Sequence, residues 1–441
     1  MELRDFIVTP IILLLIYVGA YHVRPYVTDS INRRYFLPAL SLKLFGALAL
    51  GFIYQFYYGN GDTFMYHTSG SRLVWQAFGD SPLTGLRLLF SNGSHNSDIY
   101  QYSSRIYFFR DQSSFAVVRM AALIDLLTFA TYSATAALFA VFSFFGTWQF
   151  FMTFYRQYPH LHKSLATASF FVPSVFFWGS GILKDTITLG CLGIATYQIY
   201  KIFFEKKYGV TGIILLLGSL YMIFSVKKFI LQAYIPAVII WVVAWHVNFL
   251  PSMVLKIMLL PFVLALLMTA SYYSVVKIGE DDGRYSIGKI AQTAKKTAYD
   301  IRYWSGRDAG SGYSLGDLDG SFGSMLRLAP AAINVSLFRP YLWEVKNPLM
   351  LLSALESLIL LALVLYLIFN RRMKVLFAFR DPSIAFALVF SIMFAFAVGV
   401  STYNFGTLSR YKIPLLPFFI VALILIGDYT KRQPTVPEAP R

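Results

Sequence analysis

An aspartate and a histidine lie five positions apart in the stretch GNGDTFMYH, residues 59–67, directly after a long apolar segment. A carboxylate at the edge of a membrane can act as a general base on an attacking hydroxyl group, and partial burial raises its proton affinity. We therefore take Asp62 as the candidate catalytic base, with His67 supporting or replacing it. The sequence leaves two alternatives open, which are an N-cap role for Asp62 and a structural role for His67.

Basic residues recur in the short links WGSGILKD, SVKKF and GTLSRYK, each of which joins two apolar segments. Arginine binds phosphate through two parallel hydrogen bonds, and lysine binds it as a point charge. Lysines that extend to lipid headgroups, interfacial contacts and a helix cap at Asp185 are the alternatives. The candidate ligands of a lipid phosphate are Lys184, Asp185, Lys227, Lys228, Arg339, Arg410 and Lys412.

Two aromatic side chains follow Arg339 in the stretch RPYLWE, residues 339–344. Tyr341 and Trp343 could stack on the faces of a sugar, or belong to the aromatic belt at a membrane interface. No phosphate-binding GKS or GKT loop, no HExxH and no metal-spaced His/Cys cluster occurs in the sequence, so we assign no metal ligand.

The composition indicates the class of fold that positions these residues. Of the 441 residues 57% are hydrophobic and only 14% are charged, whereas soluble domains are about a quarter charged. This composition predicts an all-α polytopic membrane protein, and therefore the lipid bilayer as a partner. The net charge of +16 arises largely from Lys and Arg in short loops, which is typical of orientation signals and does not indicate nucleic-acid binding.

Hydropathy and charge predict about eleven transmembrane helices. The N-terminal segment is expected to be a retained helix, and the segment 115–132, with Arg119 and Asp125, to lie in the interface. The N-terminus is then outside and the C-terminal tail cytoplasmic. The predicted spans are 5–23, 39–58, 133–155, 166–180, 186–204, 211–226, 229–248, 252–277, 348–369, 382–400 and 412–427.

Six regions follow from this topology, and the two long loops lie on the outer face, where we expect short interfacial helices to cover a cleft. The regions are N-terminal transmembrane helices 1–58, a first outer loop 59–132, a central transmembrane bundle 133–277, a second outer loop 278–347, C-terminal transmembrane helices 348–427 and a cytoplasmic tail 428–441. The small residues of FFGTW, 144–148, and GCLGIA, 190–195, favour close contact between helices.

Four stretches, GNGDTFMYH, PSVFFWGSGILKD, RPYLWE and SRYKIPLLP, together resemble the GT-C superfamily of polytopic glycosyltransferases. The resemblance implies transfer of a sugar from a polyprenyl-phosphate carrier to an envelope glycan, glycolipid or protein acceptor, in a bacterial inner membrane with the active face periplasmic. Asp62 would then correspond to the catalytic aspartate of the family, and Arg410, Lys412 and Lys184 would hold the phosphate. Cofactor use stays open, with a divalent cation as one option.

Two other functions remain open. The first is a polysaccharide repeat-unit polymerase or ligase with a lipid-pyrophosphate donor, for which arginines would matter more than Asp62. Its candidate residues are Arg105, Arg110, Arg119, Arg327 and Arg339. The second is a non-enzymatic lipid or glycolipid transporter, or a subunit of an envelope complex.

Overall fold

The computed structural model of the chain describes residues 2–248, 265, 269, 290–304, 311–316 and 321–432. Within these ranges the regular elements are helices, apart from one isolated bridge between Gly312 and Asn404. Seven of the described helices are long and apolar enough to cross a membrane, or eight if one bent pair forms a single span. The helical class is confirmed, whereas the number of about eleven spans is not.

The first of two compact units comprises Met1–Lys228. Its helices include several long apolar segments, and they also include most of the first predicted outer loop. They are α1 (Leu3–Val27), α2 (Arg33–Phe56), α3 (Asp62–Tyr66), α4 (Arg72–Asp80), α5 (Pro82–Leu89), α6 (Tyr100–Ser103), α7 (Gln112–Thr128), α8 (Tyr132–Gln157), α9 (His162–Phe170), α10 (Pro173–Trp178), α11 (Lys184–Ile199) and the start of α12 (Val210–Asn248).

The second unit comprises Phe229–Arg441. After α12 its described helices are α13 (Ile290–Trp304), α14 (Phe322–Arg327), α15 (Ala329–Phe338), α16 (Pro348–Arg371), α17 (Lys374–Ala378), α18 (Pro382–Thr402), α19 (Phe405–Tyr411) and α20 (Leu416–Arg432). Aromatic side chains form much of its core: the rings of Trp241 and Phe386 stack 4.4 Å apart, and Trp241 donates a hydrogen bond to Ser383 Oγ.

The structure corrects four of the predicted spans. The segments 211–226 and 229–248 form the single helix α12, in which Lys227 alone has non-helical angles, so SVKKF is a kink and not a loop. The segment 166–180 is split between α9 and α10, because Val172 is extended before Pro173, as the proline ring favours. The last span is a helix pair, α19 and α20, bent by 68°. The predicted span 252–277 lies almost wholly outside the described residues.

Helices α8 and α11 pack with their backbones in contact. A Cβ atom at Gly146 would overlap the carbonyl of Gly190, and one at Gly193 would overlap the carbonyl of Gly146. Where lipid surrounds the helices, such small residues allow the dispersion contacts that hold them together. The close helix contact predicted from FFGTW and GCLGIA is therefore confirmed.

A helix break, in which residues 179–183 are not helical, separates α10 from α11 inside the helix bundle. It lies beside α2, because a Cβ atom at Gly46 would overlap the carbonyl of Phe176. Lys43, near the middle of α2 and fully buried, donates hydrogen bonds from Nζ to the carbonyls of Val175 (3.2 Å) and Gly179 (2.9 Å). Carbonyl groups freed by a helix break need such donors where water is absent. Ser143 Oγ completes the cluster, 3.0 Å from Lys43 Nζ.

The α8–α11 contact leads to a first prediction. Gly146→Ala should lower the free energy of unfolding by about 1–3 kcal/mol, because a methyl group there forces two backbones apart. Labelling of the buried Cys191, the single cysteine, with a thiol-reactive dye during heating in detergent measures this loss. Gly218→Ala is the matched control, because a Cβ atom there meets no atom within 4 Å. An equal effect of both substitutions would contradict the contact.

The helix break leads to a second prediction. Lys43→Met should lower the free energy of unfolding by about 1–3 kcal/mol, because the buried carbonyl of Val175 loses the donor Lys43 and that of Gly179 loses one of its two side-chain donors. The same dye-labelling measurement applies. Lys163→Met, at an exposed lysine, is the control and should change little. If Lys43→Met proved as stable as the wild type, the carbonyl groups at the break would not depend on this lysine.

Candidate functional site

A cleft of about 180 Å³ lies in the first unit, where α1 begins, α2 ends and α8 begins. It combines a histidine, two arginines, two carboxylates and two aromatic rings. The residues that line it are Glu2, Arg4, Asp5, Gln55, Gly59, Phe64, His67, Thr68, Arg72, Ala130, Thr131 and Tyr132. Phe64 and Tyr132 stack with their ring centroids 4.3 Å apart, and Tyr132 shares a hydrogen bond with Thr63.

His67 is the buried histidine of this cleft. Its side chain is almost completely buried, and among the described residues neither imidazole nitrogen has a hydrogen-bond partner. Nε2 lies 3.4 Å from Oδ1 of Asp125, close enough for charge interaction. Buried polar groups in proteins are usually hydrogen-bonded, so an imidazole without a hydrogen bond beside a cleft is a candidate contact for a ligand.

Asp125 is fully buried on α7 behind His67. Ser71 Oγ donates a hydrogen bond to Oδ2, and Thr135 Oγ1 donates one to Oδ1, both at 2.6 Å. Hydroxyl donors compensate a buried carboxylate for part of its lost hydration. The two hydrogen bonds fix the carboxylate, which in turn orients the imidazole of His67. A histidine with an aspartate behind it is a common arrangement of a general base and the group that positions it.

A π turn at His67–Ser71 joins α3 to α4 and places two cleft residues on one face. The backbone N–H of Arg72 donates to the carbonyl of His67, five residues back. In a regular α-helix residues five apart point about 140° away from each other. The wider π turn brings the side chains of His67 and Arg72 to nearly the same side, so both reach the cleft.

Glu2 and Arg72 form an ion pair at the edge of the cleft. Arg72 donates to both carboxylate oxygens of Glu2, with Nη2 at 2.9 Å from Oε2. The hydrogen bond from Arg72 lowers the pKa of Glu2 below its ordinary value, and the same bond raises the pKa of Arg72. Both groups are therefore charged near neutral pH, and the cleft holds a guanidinium and a carboxylate within reach of solvent.

Asp62 occupies the first position of α3, with Gly61 as its N-cap residue, and it is partly buried. It is not among the described residues that line the cleft. The predicted N-cap role is wrong by one position, although a carboxylate in the first turn still favours the helix. Of the two predicted catalytic residues, the cleft therefore includes His67 and not Asp62.

The lysines predicted to bind phosphate in the first unit have protein partners. Lys184 donates to Ser113 Oγ at 2.8 Å and lies 3.6 Å from Oδ2 of Asp111. Asp185, predicted as a helix cap, lies fully buried in the first turn of α11 and pairs with Lys227. The burial of Lys227 is incompatible with the alternative in which it extends to lipid headgroups. Lys228 is half-buried and lies over the ring of Phe224.

The remaining predicted residues belong to the second unit. Arg339 makes two hydrogen bonds to the carboxylate of Glu344, and the rings of Tyr341 and Trp343 stack 4.7 Å apart with Trp343 81% exposed.

In the same unit Lys412 is fully buried and donates to Ser357 Oγ at 3.1 Å, whereas Arg410 is half-buried. A phosphate-binding role for Lys412 would need the surrounding helices to open.

Two parts of the cleft were missed by sequence reasoning. Asp125 was interpreted as a residue of an interfacial helix, and Glu2 and Arg72 were not singled out. One signal was present for Asp125, since an acid in an otherwise apolar helix needs buried donors. Those donors, Ser71 and Thr135, are far from it in sequence.

Within the described residues no group of three or more His, Cys, Asp or Glu side chains could hold a metal ion. Comparisons of the chain with protein-family models, curated proteins and solved structures gave no match. The chemistry of the cleft therefore has to be argued from its own residues.

The pair of Asp111 and Lys184 leads to a prediction on pH. Burial alone would raise the pKa of Asp111, but the charge of Lys184 and the hydrogen bonds from Ser114 and Ser113 outweigh it, so the pKa is lowered. A lowered pKa contributes stability above the unfolded-state value of about 3.9, and this stability is lost as the pH falls through the folded-state value.

Asp111→Asn should therefore be less stable than the wild type at pH 6, by less than about 1 kcal/mol for this half-exposed pair. The difference should shrink as the pH falls below about 4, because the unfolded-state carboxyl group is protonated there and the folded-state group follows at a lower pH. Thermal unfolding at both pH values measures it. Asp98→Asn, at an exposed pair with Arg87, is the control. A difference that grows toward low pH would contradict the assignment.

Proposed function

We propose that the chain is an integral-membrane glycosyltransferase of the GT-C type in which His67 is the general base. The observation that carries the proposal is the imidazole of His67, which is buried beside the cleft, has no hydrogen-bond partner among the described residues and lies 3.4 Å from the fixed carboxylate of Asp125. Asp62, the residue that the family resemblance implies, lies outside the cleft lining and is replaced in this role.

The proposed step is a displacement at the anomeric carbon of a donor sugar. One nitrogen of His67 takes the proton from an acceptor hydroxyl group, while the hydroxyl oxygen forms a bond to the anomeric carbon. The bond from that carbon to the phosphate oxygen breaks, and the lipid phosphate leaves with the electron pair. The negative charge of Asp125 stabilises the imidazolium that forms, and His67 later releases its proton to water.

Two features of the cleft support a lipid-linked, phosphate-bearing donor. Arg4 and Arg72 supply positive charge for a phosphate group, and Phe64 and Tyr132 supply an aromatic wall for a sugar ring. The cleft also lies where two candidate spans begin and another ends, so a lipid tail can remain in the bilayer while its headgroup enters. We place this end on the periplasmic side of a bacterial inner membrane, opposite the basic clusters at Arg33 and Arg156.

A repeat-unit polymerase or ligase is the second candidate. Arg105 and Arg110 favour it, because both are exposed in the first unit and could meet a pyrophosphate. Arg119 supports it less, since its guanidinium donates to the carbonyls of Leu89 and Ser91. Burial lowers the pKa of Arg119, and the carbonyl contacts indicate a structural role.

The test compares surface and lipid-linked glycans in cells that lack the protein and carry the wild type or a variant. His67→Gln should fail to restore the missing glycan, because loss of a general base lowers a rate by about 10²–10⁴-fold. Asp125→Asn should restore it only in part. His22→Gln, at an exposed histidine of α1, is the matched control and should behave as the wild type.

Asp62→Asn decides between the two candidate bases. Rescue by Asp62→Asn together with failure of His67→Gln supports His67. The reverse result would return the role to Asp62. If both variants rescue and Arg105→Gln or Arg110→Gln does not, the polymerase is the better assignment. Each variant must reach the membrane in equal amount, which immunoblotting of membrane fractions checks.

A further inference from the structure

The pair of Glu2 and Arg72 has a geometry that matches a phosphate ligand. The guanidinium of Arg72 presents two N–H groups to two carboxylate oxygens of Glu2, and both residues line the cleft beside His67. Arginine recognises carboxylates and phosphates with the same planar fork of donors. The carboxylate of Glu2 therefore occupies a position that suits a phosphate group.

Glu2 is brought to this position by a second carboxylate. Asp5 is buried and accepts a hydrogen bond from the backbone N–H of Ser133 at 2.9 Å, which fixes the start of α1 to the start of α8. Its other oxygen accepts from the backbone N–H of Glu2 at 2.7 Å. The backbone of Glu2 is thus held, while its side chain remains 52% exposed.

Replacement of Glu2 by another anion at Arg72 costs little free energy. An ion pair with one half-exposed member contributes at most about 1 kcal/mol to stability. The side chain of Arg72 is only 22% exposed, so its charge is partly desolvated and any replacement anion must form hydrogen bonds with it. A phosphate, with three acceptor oxygens and more charge than a carboxylate, meets this demand better.

We propose that Arg72 is the phosphate-binding residue of the cleft and that Glu2 is an internal competitor, which a phosphate monoester displaces on binding. The assignment of this monoester to the lipid phosphate that the transfer step releases rests on the proposed function. The binding itself does not, because it requires no transfer reaction. The ligand class is a phosphate monoester that carries an apolar chain.

The test measures equilibrium binding of tritiated farnesyl phosphate to the purified full chain in lipid nanodiscs. Glu2→Gln should lower the Kd by up to about fivefold, because the competing charge is gone. Arg72→Gln should raise the Kd by about tenfold or more, because a charged hydrogen-bond donor is lost. In the double variant with Glu2→Gln and Arg72→Gln, the Kd should equal that of Arg72→Gln alone, since Glu2 acts only through Arg72.

Three controls define what binds. Arg87→Gln removes an exposed arginine paired with Asp98 and should leave the Kd unchanged. Farnesol competes for the apolar chain alone and should displace the probe weakly. Inorganic phosphate and phosphatidic acid, added separately, distinguish a free phosphate from a lipid headgroup as the source of the recognised anion, and the first should compete more weakly than farnesyl phosphate.

The proposal is overturned if Glu2→Gln leaves the Kd unchanged or raises it, or if its gain persists in the Arg72→Gln background. Equal displacement by farnesol and farnesyl phosphate also overturns it. Failure of the proposed function is a separate result: His67→Gln would then rescue the glycan, while the coupling between Glu2 and Arg72 in farnesyl phosphate binding would still be measured.

Discussion

The ammonium group of Lys43 holds the break between α10 and α11, and the first unit depends on this interaction. A polytopic chain cannot leave carbonyl groups unsatisfied where lipid replaces water. Lys43 supplies hydrogen bonds from the middle of α2, and Ser143 on α8 donates to the same carbonyl of Gly179 at 2.6 Å. Three elements are joined at one buried point, and the chain can therefore end one helix and begin the next inside the bundle.

The rest of the first unit is arranged around that joined core. The backbones of α8 and α11 meet at glycines, so neither helix can shift without separating the contact. The cleft lies beyond this rigid part, at the first residues of α8. Asp125 and Asp5 both contact these residues, through Thr135 and the backbone of Ser133. The start of α8 thus holds both Asp125, which lies behind His67, and the start of α1.

The sequence was sufficient for features that depend on local composition. The apolar segments predicted the helical membrane class, and small residues predicted the contact of α8 with α11. It was insufficient where two distant residues compensate each other. Lys227 and Lys228 were interpreted as a turn because charges interrupt an apolar run, but Asp185, 42 residues away, allows Lys227 to remain inside. Asp125 is the same case, since its donors Ser71 and Thr135 come from other elements.

The π turn at His67–Ser71 adds one residue to this segment without separating the side chains of His67 and Arg72. A π turn contains one residue more than the α-helical turn that it replaces, so deletion of one residue there would restore a regular helix. His67 and Arg72 would then lie four positions apart, and residues four apart share one face of an α-helix. Changes of one residue are tolerated in most surface segments. In this largely buried segment, too, deletion of the exposed Thr68 would keep the side chains of His67 and Arg72 on the face that lines the cleft.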